Sequence, residues 1–224
     1  SLTQYTHSHG SRTQRTDKIT MKTRDRILHK SLELFNELGE PNVTTLLISD
    51  ELEISPGNLY YHFKSKTDIL TNLFAWFEGE MGSLLEVPDT LIDIEDQWFF
   101  LHLIFENISK YRFLYKDVIN VLTRHESIKL RFDKIISKKR RASLKILKSL
   151  QQQGNLHASD SEVDALCENI VLTATFWLNY SIISQQELQE DVLAKGVYQV
   201  ISLVAPYLDQ EQREQLNRLK ESYL

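Results

Sequence analysis

Twelve residues constrain this chain more than any other stretch: Ser55-Pro56-Gly57-Asn58-Leu59-Tyr60-Tyr61-His62-Phe63-Lys64-Ser65-Lys66. Ser55 supplies an oxygen that can cap a first helical turn. Pro56 follows at the first helical position, where a missing N–H costs nothing. Leu59 and Phe63 are four apart and share one buried face. Asn58, Tyr60, Tyr61 and His62 lie around the other sides, and Lys64 and Lys66 stand just beyond the helix. A short capped helix with hydrogen-bonding tips and flanking cations suits insertion into a DNA major groove between phosphates.

The residues upstream complete a helix-turn-helix. Thr44 and Thr45 can start a helix that Leu46, Leu47 and Ile48 begin, with Leu52 and Ile54 as apolar contacts toward its end. The short connection from there to Ser55 is the length this motif uses. Further back, Arg24 to Leu38 reads as an amphipathic helix whose stripe is Ile27, Leu28, Ser31, Leu32, Leu34, Phe35 and Leu38. Gly39 is its natural stop. Three helices of this size can bury a small common core.

From about Arg24 to Leu73 the chain resembles the TetR family of bacterial transcriptional regulators. The resemblance rests on Leu34-Phe35 and Gly39, on Val43-Thr44-Thr45, on Ile48 and Ile54-Ser55, and on Pro56-Gly57-Asn58-Leu59-Tyr60-Tyr61-His62-Phe63 with Lys66. Two positions depart from the family pattern: Ser49 replaces the usual Ala, and Glu53 replaces the usual Gly of the turn. If that turn needs a positive φ, Glu53 carries strain or the turn is built differently.

The chain has 224 residues, enough for a small module and a larger helical domain. Four prolines and seven glycines are few, which favours long helices over many short strands. No apolar run approaches the roughly 20 residues that span a membrane. Residues 1–20 lack the apolar core of a signal peptide. Cys167 is the one cysteine, so it makes no internal disulfide. This pattern fits a bacterial-type cytosol.

A net charge of −5 argues at first against nucleic acid, but its distribution argues back. Arg12, Arg15, Lys18, Lys22, Arg24, Arg26 and Lys30 crowd one end, while Asp160, Glu162, Asp164, Glu168, Glu187, Glu190 and Asp191 lie far along the chain. A basic end on an acidic body fits a protein that touches DNA at one end only. The bland alternative is a solvated tail with incidental charge.

The expected architecture is all-α. A flexible arm spans residues 1–20, with Met21 as a candidate alternative start. A helix-turn-helix module follows over 21–66, and a helical effector-binding and dimerisation domain over 67–224. A helix from Thr67 to about Leu85 joins module to body. Further helices are expected at about Ile92–Ser109, Tyr115–Arg124, Ser127–Gln153, Ser161–Ser184, Glu187–Leu208 and Gln210–Tyr223. The basic run within 129–148 reads either as a solvated helix face or as a DNA or membrane contact.

Trp98, Phe105, Tyr111, Phe176 and Tyr180 make the body rich in aromatics. Such side chains at helical spacing form core, or else line an apolar ligand pocket between helices. The last two long helices are apolar over more than one face and need cover on both sides. The resemblance implies that these helices form a four-helix dimer interface, with Val197 and Ile201 as the candidate contacts. Cys167 reads as a small buried hydrophobe. No catalytic or metal-binding motif appears, and no cofactor is expected.

The resemblance implies a DNA-binding repressor, a homodimer released from a palindromic operator by a small apolar molecule. Phosphate contacts fall to Thr45, Tyr61, His62 and Lys66, with Pro56-Gly57 approaching the backbone. Base reading falls to Asn58 and Tyr60, Asn being able to pair bidentately with adenine. The rival from another class is a protein–protein adaptor whose helical body is the working part. An enzyme would instead need a pocket with converging titratable groups.

Overall fold

The computed structural model describes residues 21–87, 89, 93–184 and 190–224. The expected arm over 1–20 lies outside the described residues, as do the expected starts of two helices at Ile92 and Glu187. The described residues form eleven α-helices and two short 3-10 turns, with no strand among them.

The N-terminal module holds α1 (Thr23–Leu38), α2 (Thr45–Glu51) and α3 (Pro56–His62). The stripe read from the sequence packs inward except Leu38, which is exposed in the last turn: Ile27, Leu28 and Phe35 on α1 meet Ile48, Leu59 and Phe63 in a fully buried core. Gly39 ends α1 at φ 82, a conformation that favours a residue without a Cβ.

Helix α4 (Lys66–Leu84) leaves this module and packs on α1 at one end. Farther along it meets α5 (Ile94–Lys110) and α8 (Glu126–Gln152). Between those two lie the short α6 (Arg112–Lys116) and α7 (Val118–Arg124), which break at Asp117 where one continuous helix was expected. The body continues with α9 (Asp160–Ile183), α10 (Glu190–Val204) and α11 (Gln210–Tyr223). A capping box opens α9: Ser159 Oγ accepts from the Glu162 N–H, and the Glu162 carboxylate accepts from the Ser159 N–H. After α10 the chain tightens into a 3-10 turn, Ala205–Tyr207, because Pro206 has no N–H to continue the α ladder.

Candidate nucleic-acid interface and the helical body

Local chemistry sets the angle between α2 and α3. Thr44 Oγ1 accepts from the Leu47 N–H at 3.1 Å and starts α2. At its end the Ile54 N–H reaches the Ser49 carbonyl, and the Glu53 N–H reaches that of Asp50, both at 3.1 Å. This paired closure needs a left-handed residue at Glu53, which takes φ 55. The strain expected for a non-glycine residue is therefore present, of order 1–2 kcal/mol. Ser55 Oγ then accepts from the Asn58 N–H at 3.1 Å and opens α3 with Pro56 in its first turn.

The apolar edge of α3 is buried through Leu59, and Phe63 is buried just past its end. The opposite side faces outward, where Pro56, Gly57, Asn58 and Tyr60 are exposed and Tyr61 keeps 84% of its surface. His62 is half-buried, with its ring edge-on to Tyr61 at 5.0 Å. The Tyr60 hydroxyl lies 3.3 Å from Thr45 Oγ1, so the start of α2 and the face of α3 form one surface. A Cβ on Gly57 would meet only Ser55 Oγ, at 4.0 Å. Within the chain, then, there is room for a side chain there.

Lys66 is placed differently from the phosphate contact expected of it. Its ammonium donates to the carbonyls of Glu40 at 2.9 Å and Val43 at 3.0 Å, and lies 3.3 Å from the Glu40 carboxylate. Those three acceptors hold it back against the chain between α1 and α2. Lys64, by contrast, is exposed.

Glu40 itself had no signal in the sequence, being a charged residue between Gly39 and Pro41. It is only 3% exposed, and its second oxygen accepts from Arg124 Nη2 at 2.8 Å. One buried carboxylate thus joins the start of α4 to the end of α7. Asn36 makes a second joint: its amide donates to the Lys110 carbonyl at 2.9 Å, and its oxygen accepts from the Phe113 N–H at 3.1 Å. Side chains of the N-terminal module therefore clamp the α5–α6 junction and the end of α7.

The five aromatic residues expected to line a pocket do not meet in one place. Trp98 is buried and stacked on Tyr223 at 5.6 Å. Phe105 is packed where Gly196 lets α10 approach; a Cβ there would stand 2.9 Å from its ring and 2.7 Å from Trp177. Tyr111 lies in an aromatic cluster with Phe77, 5.6 Å away, and its hydroxyl donates to Glu80 at 2.9 Å. Phe176 and Tyr180 are on the outer surface of α9. Val197 and Ile201 are likewise placed within the protomer's own core, at 0% and 3% exposure, rather than on an outer face.

Over the Tyr115 ring lies a buried ammonium. Lys139 Nζ donates to the Tyr115 hydroxyl at 2.9 Å, and burial pulls its pKa from 10.5 down to about 7. Burial raises the pKa of Tyr115, which keeps the phenol protonated. Three other members of the basic run are tied within the chain, Lys145 among them through the Val87 carbonyl at 2.8 Å. Arg131 makes a bidentate pair with Glu78 at 2.9 and 3.0 Å, and Arg140 pairs with Glu168 at 2.6 Å. Cys167 is buried, which raises the pKa of its thiol.

Residues 27–73 match the family described as bacterial regulatory proteins, tetR family, and residues 76–216 match a second description, bacterial transcriptional repressor. The chain belongs to the TetR family. A TetR-family transcriptional regulator from Marinobacter aquaeolei VT8 is similar over 91% of this chain and 99% of its own, at 35% identity and a TM-score of 0.82. A transcriptional regulator from Aquifex aeolicus VF5 shares the fold, with a TM-score of 0.59 at 22% identity over 81% of this chain and 99% of that one. The regulator AcrR of Shigella flexneri is 28% identical over 71 residues, 32% of this chain; that match spans about a third of the regulator's own length, 33%. Family membership makes the protein a DNA-binding transcriptional regulator, not an enzyme. No helix among the described residues is long and apolar enough to cross a membrane.

Proposed function

We propose that the protein is a cytoplasmic, homodimeric repressor that binds a near-palindromic operator and leaves it when a small, mainly apolar molecule enters the body. The observation that carries the DNA half is the face of α3. Its apolar edge is locked into the core while Asn58, Tyr60 and Tyr61 point away from it. In this reading Asn58 and Tyr60 read bases, and Pro56-Gly57 approach the backbone. Thr45, Tyr61, His62 and the exposed Lys64 contact phosphates. Lys66 instead fixes the start of α4. The working division is a DNA module through residue 66 and a sensing body from 67 to 224.

The dimer reading is supported by a stripe on α9. Leu172, Phe176, Tyr180 and Ile183 recur at helical spacing, and all are exposed, Ile183 by 80%. Such a ridge fits burial against a second copy in an interface of the obligate class, above roughly 2,000 Å². The operator half-sites are then about one helical turn apart, roughly 34–36 Å. Release follows from the two joints: a ligand that shifts α5 or α7 changes the footing of α1 and α4 through Asn36 and Glu40.

Mobility-shift titration of DNA from upstream of the chain's own gene tests the reading. The parent is expected to bind one near-palindrome. Asn58→Ala is expected to lose about 1–3 kcal/mol and to relax preference at one base pair per half-site. Unchanged affinity and unchanged preference would refute the assigned face.

A further inference from the structure

Between α5, α8, α9 and α10 lies a cavity of about 60 Å³. Its walls are mainly apolar, with Leu101, Leu147, Ile170 and Val200 among them, and none of its lining residues is charged. Two are polar. Ser143 is already committed, its hydroxyl donating to the Lys139 carbonyl at 2.9 Å. Gln97 is not: it is 8% exposed, and its buried amide nitrogen has no hydrogen-bond acceptor among the described residues. A buried N–H left without a partner costs about 1–3 kcal/mol, so an acceptor brought into this cavity recovers a real deficit.

We infer that this cavity is the effector site, and that it takes a small uncharged molecule carrying one hydrogen-bond acceptor, a ketone or ester oxygen, held by the Gln97 amide. Three observations set the class. The lining supplies no counter-charge, and an unpaired charge is excluded from such a site by its desolvation cost. One water needs roughly 10–15 Å³ in the same measure, so the cavity suits a single ring or a short chain rather than a polycyclic ligand. The buried Gln97 amide nitrogen is a donor with no acceptor among the described residues, so the ligand supplies the acceptor. Gln97 also sits on α5, whose last carbonyl at Lys110 is gripped by Asn36 of the DNA module. The assignment as an effector site rests on the ligand-responsive reading above.

Cyclohexanone and the shape-matched methylenecyclohexane are suitable probes, titrated by protein NMR against the full chain and Gln97→Leu. Cyclohexanone is expected to bind the parent and to lose roughly three- to tenfold in affinity on Gln97→Leu, the worth of one hydrogen bond. Methylenecyclohexane, with no acceptor, is expected to keep its affinity or gain. Leu101→Trp, which fills the cavity from a half-buried position, is expected to abolish both. Equal loss of both probes on Gln97→Leu, or no binding of cyclohexanone to the parent, overturns the proposal. A mobility shift with saturating cyclohexanone then reads the coupling. Weakened operator binding supports the effector role, and unchanged binding overturns it. Failure of the unliganded protein to bind operator would be seen separately and would strike the DNA reading alone.

Discussion

Replacing Lys139 by Met tests the electrostatics of the body. Lys139 is 4% exposed, it has no carboxylate at ion-pair distance among the described residues, and its pKa is about 7 against 10.5 in an ordinary lysine. The sign follows from proton uptake. Between pH 7 and 10.5 the unfolded chain holds this proton more tightly than the folded one, so the parent gains stability as pH rises through that window. At 1.36 kcal/mol per pKa unit, keeping this lysine inside costs about 4 kcal/mol at pH 7 and about 1 kcal/mol at pH 9.5. Met removes that cost but leaves the Tyr115 hydroxyl without its partner, a loss of about 1–3 kcal/mol. The variant is therefore expected to be more stable than the parent at pH 7 by about 1–3 kcal/mol, and to lose that advantage by pH 9.5. Urea unfolding of both chains at both pH values measures it, the other titrating groups being common to the pair. The stability difference between the chains should change by about 3 kcal/mol from one pH to the other. A difference that is the same at pH 7 and pH 9.5 would refute the claim that Lys139 is buried at the expense of its charge.

Two other substitutions separate structural from functional roles. Lys66→Ala is expected to cost about 1–3 kcal/mol of stability by taking the ammonium from the Val43 carbonyl and leaving the buried Glu40 carboxylate with Arg124 as its one cation among the described residues. It should leave the salt slope of operator binding within less than one charge of the parent; a slope reduced by about one would restore a phosphate role. Phe176→Glu is expected to give a folded monomer in light scattering, with helical content intact, whereas Val197→Asp is expected to unfold the protomer itself; a dimeric Phe176→Glu chain would remove the α9 interface.

The helices of the N-terminal module were legible because each signal is local. Caps at Thr44 and Ser55, a stop at Gly39 and apolar residues four apart act within one or two turns, and the structure places them as they read. At Glu53 the sequence left two alternatives open, strain or a differently built turn, and the structure decides for the positive φ. Lys66 was not legible. In sequence it is a cation after a recognition helix, and only the fold brings two carbonyls and the Glu40 carboxylate within its reach. Glu40 and Asn36 escaped for the same reason: their partners lie 84 and more than 70 positions away, and no periodicity records such a pairing.

Helices α9 and α10 show a different limit. Their apolar residues run over more than one face, so a period of 3.6 marks burial without saying against which surface. The structure alone assigns Val197 and Ile201 to the core of the same chain and leaves Phe176 and Tyr180 outside. The aromatic residues of the body were legible as apolar, but not as neighbours. The sequence by itself determined the helices of the N-terminal module, their caps and the exposed side of α3, because those follow from interactions along a few consecutive residues. The tertiary structure decided which charges are spent inside, which apolar face remains outside, and where a cavity with an unpaired amide lies, because each depends on helices far apart in the chain packing against one another.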